Sequence, residues 1–326
     1  MRPFSIPEMG LMLTLCVGSS VFAQGYPARA VRIISQAPVG GPTDIVVRGA
    51  AQSLQERLGQ PFVIEIRSGA NGILGAEACA KANADGYSLC ALNGQSVSQN
   101  PVMTTKLPYD PQKDFGPVVH LGSLRSALIV HPSVAATTVA QLFEQVRAKP
   151  GALAWASYGP SSNSRLYMEW LKSTRGLQFL DVPYKTAGQA FTSMMTGEAQ
   201  IAMYNAGGAS AMAKSGKVRV LAVIGEEPSS FLPGVPSFKD VGIPLQIGNW
   251  SGLFAPTGTP RAIVTQVNAE VAKLMASAEF REKFMTAAGL EPERPAGRPV
   301  EEFAAFLKAD RAAAEELAKV VKVQLE

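Results

Sequence analysis

The sequence predicts an α/β fold made of two units, and three observations support that prediction. Strand-like and helix-like segments alternate from residue 31 to residue 92, which is typical of a parallel sheet with helices on both faces. The same alternation returns from residue 152 to residue 224. Two long extended apolar stretches, 118–131 and 250–255, join these regions. Two such crossings predict that the second unit is inserted into the first, with a cleft between them.

The first unit follows from hydrophobic periodicity and from glycine positions. Its predicted elements are a strand at 31–35, a helix from Thr43 to Gly59, a strand at 62–66, a short helix through Cys79 and a strand at 87–92. Apolar residues recur at helical spacing in the first helix, and glycine is favoured just past a helix end. The glycine-rich segment 69–75 is predicted to be a turn that allows close packing.

The second unit and the C-terminal region follow from the same signals. Their predicted elements are strands at 152–157, 179–182, 201–204 and 218–224, and helices at 165–174, 188–196 and 300–323. A further amphipathic helix is expected to start with Thr259 as its N-cap and Pro260 at its first position, where proline is favoured.

The N-terminus has the pattern of a secretory signal peptide over residues 1–23. Arg2 provides the positive charge, residues 9–18 form a short apolar run, and Val21 and Ala23 fit a cleavage site after Ala23. The apolar run is about half the ~20 residues that a membrane span needs. Cys16 follows Leu15, where a lipoprotein signal requires a small residue, so we assign it to the signal peptide. A buried N-terminal helix is the alternative.

Two cysteines, Cys79 and Cys90, remain after removal of the signal peptide. Export to an oxidising compartment allows a disulfide between them. One lies late in a predicted helix and the other in the next strand, so their Cα atoms can come within the ~4.4–6.8 Å that a disulfide requires. Two buried thiols are the alternative.

Composition and motifs exclude several classes of function. The net charge is +4 and the basic residues are scattered, so we expect no nucleic-acid partner. We find no nucleophile-elbow, Walker A, zinc-protease or Cys-x-x-Cys motif, and the only imidazole bases are His120 and His131. We therefore expect no catalytic residues, no metal and no cofactor, and a binding function rather than an enzyme.

Two polar loops, each between a strand and a helix, are the best candidates for a ligand site. They are the segments 39–44 and 157–164, which are rich in glycine, serine and threonine. A helix start offers unpaired backbone N–H groups and the positive end of the helix dipole, which together bind a carboxylate without an arginine. Both loops could instead be ordinary helix caps. Their occurrence in both units favours one shared anionic ligand.

A colinear series of short motifs resembles the Bug-type receptors, which are the substrate-binding proteins of tripartite tricarboxylate transporters. The series includes Gly40-Gly41-Pro42-Thr43-Asp44, Gly75-Ala76-Glu77-Ala78, Asp85-Gly86-Tyr87, Val182-Pro183-Tyr184-Lys185 and Gly252-Leu253-Phe254-Ala255-Pro256-Thr257-Gly258-Thr259-Pro260. Each motif is weak alone, but their order along nearly the whole chain is specific.

The resemblance implies a type II periplasmic binding protein of the Venus-flytrap kind, in which each lobe is a mostly parallel sheet flanked by helices. It implies a monomer that captures a small carboxylate in the periplasm and delivers it to membrane permease subunits. The ligand-binding positions that it implies are Gly40, Gly41, Thr43, Asp44, Asn93, Ser96, Ser157, Ser161, Ser162, Ser164, Lys185, Tyr204 and Asn205.

This sequence departs from the family at several positions near those residues. Arg165 stands where a histidine is frequent, Gln200 stands where an acidic residue is usual, and segment 35–39 lacks the usual apolar, phenylalanine-containing stretch. These departures leave the fold prediction intact and leave the identity of the carboxylate open.

We expect lobe 1 to comprise residues 24–123 and 247–326, and lobe 2 to comprise residues 124–246. Two other functions stay open on the same scaffold. One is a secreted enzyme that acts on a small acid, and the other is a sensory co-receptor. Hinge positions are expected near Gly122 and Gly248, where the chain passes between the lobes.

Overall fold

A computed structural model describes residues 25–158, 162–225, 229–245, 247–293 and 295–321. The predicted signal peptide lies outside these residues. Within them, every helix is too short or too polar to cross a membrane.

The first sheet has five strands in the order β2-β1-β3-β10-β4. They are β1 (Val31–Ser35), β2 (Phe62–Ile66), β3 (Ser88–Asn93), β4 (Phe115–Leu124) and β10 (Asn249–Pro256). Strand β1 pairs in parallel with β2 and β3, whereas β10 is antiparallel to β3 and β4. Four of the strands therefore run in one direction and β10 runs against them.

The second sheet repeats this plan in the order β7-β6-β8-β5-β9. Its strands are β5 (Ser126–Val130), β6 (Ala154–Tyr158), β7 (Leu180–Tyr184), β8 (Ile201–Asn205) and β9 (Arg219–Val223). Here β5 is the antiparallel strand, since it pairs antiparallel with both β8 and β9. The prediction of two α/β lobes, each with a mostly parallel sheet, is confirmed.

The chain passes between the sheets twice. Strand β4 ends at Leu124 and β5 begins at Ser126, so Arg125 alone separates the two sheets at the first crossing. The second crossing returns from β9 to β10 through residues 224–248. Segment 118–131, predicted as one extended stretch, is thus two strands in two sheets.

Helices cover both sheets. They are α1 (Pro42–Leu58), α2 (Ile73–Ala80), α3 (Asn100–Met103), α4 (Pro111–Asp114), α5 (Val139–Ala148), α6 (Asn163–Arg175), α7 (Ala187–Thr196), α8 (Ala206–Lys214), α9 (Arg261–Ala276), α10 (Ala278–Phe280) and α11 (Val300–Val320). Wider helical turns occur at 95–99 and 281–286. The end of α11 reaches the second lobe, because Leu317 and Val321 are buried in a cluster with residues of that sheet.

One helix start differs from its prediction. Pro260, and not Thr259, is the N-cap of α9, and the helix begins at Arg261. The Thr259 hydroxyl donates to the carbonyl of Pro256 at 2.7 Å, so it closes the preceding turn instead of capping the helix.

Cys79 and Cys90 are joined by a disulfide, with their Cα atoms 5.9 Å apart. Both residues are buried in an apolar cluster beneath α2 and β3. The disulfide ties the helix that follows the glycine-rich segment to the central part of the first sheet.

Candidate ligand-binding site

The loop before α1 is held in place by its own hydrogen bonds. The Gly40 N–H donates to Asp44 Oδ2 at 2.9 Å, and the Gly41 N–H donates to the Pro38 carbonyl at 3.1 Å. Pro42 has no N–H, and the Ile45 N–H donates to Gly41 within the helix at 3.0 Å. The N–H groups of residues 43 and 44 therefore remain as the donors that the helix start offers.

Asp44 is buried, with 2% of its side chain exposed, and organises this loop. Its Oδ2 accepts from Gly40 and from Arg48 Nε, each at 2.9 Å. Burial opposes ionisation, but the hydrogen bonds from Arg48 and Gly40 and the charge of Arg48 outweigh it and hold the pKa of Asp44 below its usual range. Asp44 is thus a carboxylate that shapes the loop.

A cavity of about 540 Å³ opens in front of this loop. Its lining includes Gln36, Pro38, Gly41, Thr43, Asn71, Asn93, Gln95, Asn249, Trp250 and Ser251. These residues belong to the first lobe or to the second crossing, and none of the described residues lining the cavity is charged. The volume is in the range of ~300–1,000 Å³ usual for small-molecule sites.

Thr43 and Ser251 bring α1 and β10 together at the cavity. Their hydroxyl oxygens are 2.6 Å apart and share one hydrogen bond. One hydroxyl must donate and the other must accept, so the pair can still donate one hydrogen bond to a ligand oxygen. Ser251 was not identified from the sequence, because it lies in an apolar strand far along the chain from the loop.

Asn93 lies in the cavity wall at the end of β3, and Ser96 lies behind it. The Ser96 side chain is fully buried, and its hydroxyl donates to Gln36 Oε1. Gln36 Nε2 in turn donates to Asn93 Oδ1. The Ser96 hydroxyl therefore supports the Gln36 side chain, and Gln36 itself lies in the cavity wall. The sequence signal for Gln36 was its departure from the apolar stretch usual in the family.

The serine-rich loop of the second lobe lies partly outside the described residues, because residues 159–161, including Ser161, are not described. Ser157 is buried, and its hydroxyl donates to Asp181 Oδ1 at 2.7 Å. Arg165 forms ion pairs with Asp181 and, at 3.2 Å, with Glu169. Arg165 is thus neutralised by two carboxylates of its own lobe.

Ser162 and Ser164 differ in their roles. Ser162 is the N-cap of α6 and accepts from the Arg165 N–H at 3.2 Å. Ser164 is fully buried and donates to the Ala156 carbonyl at 2.7 Å, while it accepts from Trp155 Nε1 and from the Met203 N–H. The hydroxyl of Ser164 is therefore fully used inside the second lobe.

The remaining predicted positions of the second lobe lie on β7 and β8. Lys185 is exposed just after β7. Tyr204 is half-buried, and its ring stacks on Phe191 with centroids 4.6 Å apart. Asn205 is the N-cap of α8, with its Oδ1 accepting from the Gly208 N–H at 2.8 Å. None of these residues lines the first-lobe cavity, so the structure does not bring the two predicted sets together.

The histidines occupy structural positions. His120 is fully buried among the rings of Trp250, Phe303 and Phe306, and its Nδ1 accepts from the Gly122 N–H at 3.1 Å. His131 contacts the Ser133 hydroxyl at 2.8 Å in a surface turn. Across the described residues, no three histidine, cysteine or acidic side chains are arranged to hold a metal ion.

Comparisons with known proteins agree on one family. Residues 46–315 match the model of the tripartite tricarboxylate transporter family receptor. The chain is 30% identical over 273 residues to Protein BugT of Bordetella pertussis, which covers 83% of this chain and 84% of BugT.

Two solved structures are also similar to this chain over most of its length. The structure of R. palustris Rpa4515 with adipate is similar with a TM-score of 0.74 and 30% identity, covering 91% of this chain and 98% of that one. The structure of MatC from Rhodopseudomonas palustris with bound malate has a TM-score of 0.70 and 28% identity, covering 90% of this chain and all of that one (100%).

Proposed function

Because this chain belongs to the receptor family of the tripartite tricarboxylate transporters, we propose that it is a periplasmic receptor that captures a small carboxylate between its lobes. It would then deliver that carboxylate, as a monomer, to the permease subunits of a membrane transporter. Solved structures of relatives with adipate and with bound malate support a carboxylate ligand.

The first-lobe cavity supports this function because the described residues that line it offer hydrogen-bond donors without a cationic side chain. The start of α1, the Thr43–Ser251 hydroxyl pair and Asn93 all lie at this one cavity. Backbone donors at a helix start favour an anion through both their N–H groups and the helix dipole. This convergence is the observation on which the proposal depends.

The second lobe would bind the other end of the ligand after closure. Ser162, Lys185, Tyr204 and Asn205 are the candidates, while Ser157 and Ser164 would act by fixing the loop. The hinges of this closure would lie near Gly122 and Gly248, close to where the chain passes between the sheets.

A ligand panel tests this function directly. The midpoint of thermal unfolding is measured with mono-, di- and tricarboxylates and with amino acids. A ligand that binds only the native state raises the free energy of unfolding by about 2.7 kcal/mol at one hundred times its Kd. We expect at least one carboxylate to raise the midpoint and to be recovered unchanged by chromatography. Consumption of the acid would indicate an enzyme, and a panel without any stabilising carboxylate would contradict the proposal.

A further inference from the structure

The orientation of the Asn93 carboxamide follows from a neighbour that can only donate. The backbone N–H of Gln95 lies 3.0 Å from Asn93 Oδ1. An N–H cannot accept a hydrogen bond, so the Asn93 atom that faces it must be the oxygen. The amide nitrogen of Asn93 must then point to the other side.

Gln36 reinforces this orientation. Its side chain also faces Asn93 Oδ1, so the Gln36 atom at that contact must be the donor Nε2. Gln36 Oε1 then faces Ser96, whose hydroxyl donates to it. Both lone pairs of Asn93 Oδ1 are consequently used, and Nδ2 has no protein partner among the described residues although it is not sealed from solvent.

The glycine-rich segment makes room for Gln36. A Cβ at Gly72 would lie 2.7 Å from Gln36 Nε2, and a Cβ at Gly75 would lie 2.6 Å from Gln36 Cβ. Gly72 also has a φ of 85°, which side-chain-bearing residues rarely adopt. Gly72 and Gly75 thus leave room for the Gln36 side chain at the back of the cavity, where Gln36 is 5% exposed.

The Gln95 side chain offers a hydrogen-bond acceptor, whereas Asn93 offers a donor. Asn100 Nδ2 donates to the backbone carbonyl of Asn71 at 3.0 Å, which fixes Asn100 Oδ1 toward Gln95 Nε2 at 2.8 Å. The Gln95 oxygen is then the group without a protein partner among the described residues, so it can accept a hydrogen bond from a ligand.

We infer that Gln36 is a positioning residue that holds Asn93 with its amide nitrogen toward the ligand, so that the site selects a carboxylate next to a hydroxyl. Asn93 donates to the carboxylate, and Gln95 accepts from the hydroxyl. An ammonium group in place of the hydroxyl is disfavoured, because none of the described residues that line the cavity is charged and could offset its loss of hydration. This inference rests on the proposed function.

The test uses two series of ligands that differ in one group. They are succinate, malate and aspartate, and adipate, 2-hydroxyadipate and 2-aminoadipate. Binding is measured by calorimetry for the wild type. We expect, in the series of the better length, the hydroxy acid to bind about 5- to 10-fold more tightly than the plain acid, and the amino acid to bind most weakly. Tightest binding of the amino acid, or of an acid outside both series, would overturn the inference.

Three variants separate positioning from general structure. Asn93→Asp keeps an acceptor for Gln36 and Gln95 but replaces the free donor, so we expect about 100-fold weaker binding of the hydroxy acid. Gln36→Leu should weaken it about 10-fold and reduce the preference over the amino acid, which a general defect would not do. Gln52→Leu, a matched change on the exposed face of α1, should bind as the wild type does. Hydroxy-acid binding by Asn93→Asp within threefold of wild type would refute the assignment.

A ligand-free measurement distinguishes failure of this inference from failure of the proposed function. Side-chain amide signals are assigned by NMR from their loss in Gln36→Leu and Asn93→Asp. The Gln36 NH₂ protons should exchange with water more slowly than those of Asn93, because Gln36 is buried and bonded while Asn93 faces the cavity. The reverse order would overturn the inference even if no acid bound.

Discussion

Gly40 and Gly41 illustrate what composition can and cannot establish about a loop. Gly40 has a φ of 78°, which favours glycine, whereas Gly41 has the ordinary values of −73° and 163°. The sequence identified the loop from its glycines, hydroxyl residue and acid. It could not show that the N–H groups of both glycines are used inside the loop, because that depends on backbone angles and on the position of Asp44.

The burial of His120 affects how the stability of the protein depends on pH. Desolvation lowers the pKa of this fully buried imidazole to about 3, against 6.5 when it is exposed. The unfolded chain therefore binds one more proton than the native protein between these pH values. With respect to this group, the free energy of unfolding is highest above pH 6.5. It decreases as the pH falls toward 3, by up to about 1.4 kcal/mol per pH unit.

We predict that His120→Asn removes this part of the pH dependence of unfolding. The Asn side chain can still accept from the Gly122 N–H, so the readout is the slope of unfolding free energy against pH between 4.5 and 6.5, obtained from urea titrations. The slope should decrease relative to wild type, and His131→Gln, a change of the surface histidine, should not reduce it. Equal slopes for His120→Asn and wild type would show that the buried imidazole does not control this dependence.

Helices and strands with strong periodicity are predictable, but α5 and α8 had no predicted counterpart for different reasons. Helix α5 buries Val139, Leu142, Phe143 and Val146 and is capped by Thr138, so its sequence does contain the signal. Helix α8 consists mainly of alanine and glycine, so it lacks the contrast between apolar and polar faces. Only its packing against β5, β8 and β9 identifies it.

The disulfide is tested at the scale of the elements that it joins. The two cysteines are 11 positions apart in the sequence, so the restriction of the unfolded chain predicts about 2–3 kcal/mol of stabilisation. We predict that the double variant Cys79→Ala/Cys90→Ala loses about that free energy of unfolding in urea titrations, plus a smaller contribution from packing. Ligand affinity should stay within about twofold, because neither cysteine lines the cavity. A change below about 0.5 kcal/mol would contradict the prediction.

At the scale of the whole molecule, the two crossings were readable from sequence but the contacts around them were not. Arg125 is buried at the first crossing and lies 3.6 Å from Glu291 and 3.5 Å from Glu293. Glu291 also accepts from the Ser229 hydroxyl at 2.7 Å and from the Ser230 N–H at 2.9 Å. These partners come from distant parts of the chain, and only the folded topology brings them together.

The same topology predicts closure upon binding. In the structure the first-lobe cavity is lined without Lys185, Tyr204 or Asn205, so a ligand held there can reach the second lobe only if the lobes approach each other. The new contacts would drive rotation about the two crossings.

We therefore predict that the radius of gyration from X-ray scattering decreases when a carboxylate that stabilises the wild type is added to saturation. Asn93→Asp at the same acid concentration, set near ten times the wild-type Kd, serves as the control, since its about 100-fold weaker binding leaves about nine in ten molecules unliganded and its radius should barely change. An unchanged radius for the saturated wild type would show that binding does not close the lobes, and an equal decrease in the control would assign the change to ionic strength.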